Sequence, residues 1–61
     1  MLIEEMNGRK HYLNPRQVVT AETYSDCGFT LHTINLSNGT EMSVLNESFE
    51  RIVAWMEKHN D

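Results

Sequence analysis

The stretch Phe29–Leu45, "FTLHTINLSNGTEMSVL", decides the fold. Thr30, His32, Ile34 and Leu36 fall on one side of an extended strand and Phe29, Leu31 and Thr33 on the other. Asn38-Gly39 then breaks the run, and an Asn-Gly pair tolerates the positive φ that tight turns between strands require. A two-residue loop would set Leu36 opposite Glu41 and Ile34 opposite Ser43. A three-residue loop, Ser37-Asn38-Gly39, sets Ile34 opposite Met42 and His32 opposite Val44. The second register keeps the apolar face together and is the expected one.

Downstream, "NESFERIVAWMEKHND" reads as a helix capped by Asn46. Phe49, Ile52, Val53 and Met56 recur at i, i+3, i+4 and i+7, which makes one apolar stripe. Glu47 and Arg51 have ion-pair spacing. Trp55 lies off the stripe, about 120° from Phe49, with Ile52 and His59 on its flank. A half-buried Trp serves as an interface anchor or as a lid on the core edge, and both readings are carried forward.

Upstream, "QVVTAETY" reads as a strand, "SDCG" as a turn and Asn14-Pro15 as a strand stop. Asn7-Gly8 joins "LIEEM" to "RKHYL". A two-residue loop there sets Ile3 opposite Tyr12, and a three-residue loop leaves Leu2 beside Tyr12. Both registers stay open. The expected architecture is α+β: a small antiparallel β-sheet of four to five strands with two Asn-Gly hairpins, followed by one C-terminal amphipathic α-helix, in a single domain over 1–61.

A chain of 61 residues buries only about 60% of its unfolded surface, so its core is marginal. Cys27 is the only cysteine, which excludes an internal disulfide and fits a reducing compartment. His11, His32 and His59 are scattered, without metal-ligand spacing, so neither a metal nor a cofactor is expected. Self-association is the remaining way to enlarge the core. A two-sided strand covered by one helix leaves Phe29 and Leu31 uncovered, and with Trp55 they would form one dimer patch.

Charge narrows the function classes. Five basic residues against nine acidic ones give −4, which argues against binding a phosphate backbone. Arg9, Lys10, His11 and Tyr12 cluster on the first hairpin and keep a β-ribbon nucleic-acid binder as an alternative. Glu4 and Glu5 lie across from them, and cross-strand ion pairing is the favoured account. No stretch suits membrane insertion, and "MLIEEMNG" is unlike a signal peptide, so a cytoplasmic protein is expected. The Asn35, Asn38 and Asn46 sequons then have turn or cap roles only.

Catalysis is not expected. Cys27 stands beside Asp26 with no basic neighbour to support a thiolate. No serine lies in a nucleophile elbow, no Gly-rich loop is present, and Glu4 and Glu5 point to opposite faces. What remains is binding to a protein partner, with Trp55, Ile52, His59, Phe29, Leu31, Arg9 and Tyr12 as the candidate contact residues.

Asn7, Gly8, Tyr12, Leu13, Asn14, Pro15, Val18, Val19 and Glu22, followed by Asn38-Gly39 and Glu47-Ser48, form an ordered series. In this series the chain resembles the FlbD/SwrD family of small flagellar and swarming-motility proteins. The segment from Pro15 to Asn38 runs several residues longer than the family pattern. The resemblance implies a cytoplasmic accessory protein that acts through partners near the flagellar machinery. It brings no catalytic residues. A phage-encoded inhibitor of a host protein is the other reading of a small acidic chain of this pattern.

Overall fold

The computed structural model describes residues 1–59. Five strands, one short 3₁₀ turn and one helix follow in order: β1 (Leu2–Glu4), β2 (Lys10–Tyr12), the turn Pro15–Gln17, β3 (Val18–Asp26), β4 (Phe29–Leu36), β5 (Glu41–Val44) and α1 (Asn46–Lys58). The class is α+β as expected, but the strands are divided between two antiparallel sheets, β1-β2 and β3-β4-β5. This corrects the expectation of one sheet of four to five strands.

The reason for the division lies at the junction. Beyond the two ladders, the sheets meet at a single bridge, Glu5 with Val44. There Met6 N–H donates to the Ser43 carbonyl (3.1 Å) and Leu45 N–H to the Glu4 carbonyl (3.0 Å). Beyond that point one chain enters the Asn7-Gly8 turn and the other enters the helix, so the ladder cannot extend.

In the first sheet Leu2 pairs with Tyr12, Ile3 with His11 and Glu4 with Lys10. This is the register of the three-residue loop. The Gly8 N–H donates to the Glu5 carbonyl at 3.0 Å, and Gly8 has φ +90°, open to glycine without strain. Between β4 and β5, Ile34 pairs with Met42 and His32 with Val44, as the Ser37-Asn38-Gly39 loop length requires.

The β3-β4 ladder is the longest, running from Val18↔Leu36 to Asp26↔Phe29 with a register shift between Val18 and Thr20. The shift leaves Val19 as an extra residue, 59% exposed, and turns Val18 inward to 9%. Without that bulge the period-2 alternation would aim Val18 at solvent. The strand also runs past the expected Ser25–Gly28 turn. Only Cys27 (φ +50°) and Gly28 (φ +77°) form the loop, a mirror-image turn that matches strand twist.

Ile3, Val18, Ile34, Val44 and Ile52 make the buried core. Leu36, Met42, Phe49 and Met56 pack around it, so the expected helix stripe does face the expected strand face. Phe49 stacks on His32 with ring centroids 4.3 Å apart. Val53, the fourth residue of the stripe, is half-buried.

Two helix expectations change. Leu45, not Asn46, occupies the N-cap, with no side-chain cap bond. Its amide is held by the Glu4 carbonyl, which fixes Leu45 in extended geometry and starts the helix one residue earlier than a side-chain cap at Asn46 would. Arg51 does not pair with Glu47. Its Nη1 donates to the Leu2 carbonyl at 3.0 Å, reaching across to β1. The acid–base side-chain contact found among the described residues is His11 Nε2 with Glu5 Oε2, at 2.8 Å.

Candidate functional site

The helix covers one face of the β3-β4-β5 sheet. Side chains directly opposite in a ladder share a face, so the uncovered face can be read from the pairs. It carries Asp26 beside Phe29, Tyr24 beside Leu31, Glu22 beside Thr33 and Ser43, and Thr20 beside Asn35 and Glu41. The Asn35 amide donates to Thr20 Oγ1 at 2.8 Å, which closes the polar end of that face.

The other end is apolar. Tyr24 and Phe29 are 59% and 56% exposed, and Leu31 between them is half-buried. They sit on an arm. β5 makes its last pair at His32↔Val44, so residues 24–26 and 29–31 pair only with each other and project beyond the third strand, with Glu22 at the foot of this arm beside Thr33. The fold measures 35 Å in its longest dimension against 24 and 21 Å in the others. Two antiparallel strands alone gain little stability from burial, and this ribbon is held by the core only at its base.

The residues singled out in the sequence separate into four places. Phe29 and Leu31 lie on the outer face of the arm. Trp55 is half-buried on the helix, which packs on the opposite face of the sheet, and its ring lies 4.4 Å from that of His59. The single patch expected of Phe29, Leu31 and Trp55 is therefore not formed. Ile52 is fully buried and has no surface to present to a partner, a second correction. It lies at the centre of the stripe, where the helix meets β1 and β4. Arg9 and Tyr12 belong to the first hairpin. Arg9 is exposed, with its N–H donating to Asn7 Oδ1, and Tyr12 is 88% exposed opposite Leu2.

Tyr24 was not singled out from the sequence. The signal was present: once the loop is counted as Cys27-Gly28 alone, Tyr24 falls opposite Leu31. Ser48 was also missed. It is 2% exposed, and its Oγ accepts the Glu4 N–H at 2.8 Å.

A concave surface is lined by Glu4, Leu45, Asn46, Glu47, Ser48 and Arg51. Its Ser48 hydroxyl accepts from the Glu4 N–H and Arg51 Nη1 donates to the Leu2 carbonyl, so both tie the helix to β1. Among the described residues, no group of three or more His, Cys, Asp or Glu side chains is placed to hold a metal ion. No described helix is long and apolar enough to cross a membrane. No family model, curated protein or solved structure matches the chain.

Proposed function

We propose that this protein is a non-enzymatic interaction module, an accessory chain that works by docking a partner protein through the β3-β4 arm. The observation that carries the reading is the cluster of exposed Tyr24 and Phe29 with half-buried Leu31 on a ribbon that projects from the core. Such a cluster adds little to the stability of a small fold, whereas aromatic side chains on an accessible element are the usual anchors of an interface. In the motility-accessory role that the family resemblance implies, the partner belongs to the flagellar machinery and the protein acts in the cytoplasm.

Affinity capture from the native host, with mass spectrometry, tests this. The wild-type chain retains a defined protein, a flagellar component in the motility role and another host protein in the phage-inhibitor role. Failure to retain any protein above a scrambled-sequence control overturns the module reading. A symmetric homodimer through the same cluster is the second reading, favoured by the same exposed aromatics. It requires a melting temperature that rises with protein concentration.

A further inference from the structure

We propose that the outer face of the arm receives a basic amphipathic helix of a partner protein, with Leu-like side chains on Tyr24, Phe29 and Leu31 and Lys or Arg side chains reaching Asp26 on the arm and Glu22 at its foot. The inference rests on the module reading and adds the chemistry of the partner. Its first support is charge. The outer face of the β3-β4-β5 sheet carries Glu22, Asp26 and Glu41 and no Lys or Arg. The five basic residues of the chain lie elsewhere: Arg9 and Lys10 at the first hairpin, Arg16 in the 3₁₀ turn, and Arg51 and Lys58 on the helix. None of the three acids has an ion-pair partner among the described residues.

The same distribution argues against a second copy. A two-fold contact is self-complementary, so each acid of one face would meet an identical acidic face with no cation to offset it. Like-charge juxtaposition disfavours that pairing, and opposite charge on a partner both steers and orients docking.

Shape is the second support. Two paired strands make a ribbon about 10 Å wide, counting their side chains' reach, and a helix with side chains is about 10–12 Å across. Phe29 and Leu31, two residues apart on β4, with Tyr24 beside Leu31, give one short apolar row rather than a broad plane. One helix covers such a row, and its flanking positions then lie over Glu22 and Asp26. The Tyr24 hydroxyl already lies 3.5 Å from Asp26 Oδ2, so the acid is held beside the row.

The test uses the isotope-labelled full chain and three synthetic helices: Leu/Lys amphipathic, Leu/Glu amphipathic, and a Lys helix without the Leu stripe. Amide shifts map contact, and a titration gives affinity. The Leu/Lys helix is expected to shift residues 22–31 selectively, and the other two to bind at least about tenfold more weakly. Glu22→Gln with Asp26→Asn should weaken the Leu/Lys helix about tenfold, from two partly exposed charge pairs. Phe29→Ser should weaken it roughly thirtyfold, as loss of an aromatic anchor does. Glu47→Gln with Glu50→Gln, acids on the helix, should change nothing. The charge variants keep the fold, which melting confirms, so the result does not hang on Phe29→Ser alone.

Shifts centred outside the arm, equal binding of the Lys helix without Leu, or indifference to the arm acids would each overturn the proposal. So would shifts at residues 22–31 that grow with protein concentration in the absence of peptide, which would mark a second copy as the occupant. Capture of a native partner by both wild type and the arm-acid variant would overturn this inference and leave the module reading standing. Failure to capture any partner would defeat that reading instead.

Discussion

The base and the tip of the β3-β4 hairpin belong to one ladder and live in different surroundings. At the base, Val18, Ala21, Ile34 and Leu36 join the core, β5 pairs alongside and α1 lies above. Toward the tip, residues 22–30 are all exposed, and from residue 24 to residue 31 the strands hold only each other. The backbone hydrogen bonding is of the same kind. What differs is apolar burial, and in a domain this small burial separates a structural element from a surface one. The tip is therefore where side chains are free to be chosen for something other than folding.

The sharpest way to break the comparison is at its supported end. Ile52→Ala, at a fully buried position, should cost about 2–5 kcal/mol. For a marginal fold that is enough to abolish the cooperative thermal transition. A melt unchanged from wild type would mean that α1 does not brace the base. Next in size is Ser48→Ala. It strands the Glu4 N–H beneath the helix and should cost about 1–3 kcal/mol in denaturant unfolding. Ser48→Thr, which keeps the hydroxyl, separates the bond from the packing.

At the tip the effects shrink. Gly28→Ala meets no atom within 4 Å, so its cost is conformational, about 1 kcal/mol for an alanine at φ +77°. Cys27→Asn should act in the opposite direction by a few tenths of a kcal/mol, since Asn accepts the left-handed region more readily. Differential scanning on both variants gives the signs. Smallest of all, Tyr24→Thr should move the melting midpoint by no more than about 0.5 kcal/mol equivalent, as expected for an exposed site. A larger loss would show the arm to be part of the stabilising core. Hydrogen exchange sharpens the contrast further: amides of residues 22–31 should exchange by local opening, and those of Ile34 and Ile52 only by global unfolding.

These differences also mark what the sequence could convey. The β4-β5 register was legible because loop length and parity agree on Ile34 opposite Met42. The helix stripe was legible because Phe49, Ile52 and Met56 repeat at the helical period. The bulge was not, because Val18-Val19 is apolar in either parity and only the packed sheet decides which valine turns inward. The helix start was missed because a backbone bond from Leu45 to Glu4 outranks the capping preference of Asn46. The division into two sheets depends on where two loops leave a shared edge, which is a tertiary property. On the arm, Phe29 and Leu31 stood out by alternation. Tyr24 was hidden by a turn read as two residues too long.

The bond from Glu4 N–H to the Ser48 hydroxyl spans 44 positions. Loop closure over that length costs entropy before it returns any contact, which slows folding. During synthesis, β1 has no partner in the helix until Ser48 has left the ribosome, while β3 and β4, joined by a two-residue loop, can pair as soon as they emerge. The β1-β2 hairpin, also closed by a short loop, can pair as early, but its tie to the helix through Ser48 forms only after the ribbon that projects from the core has already paired.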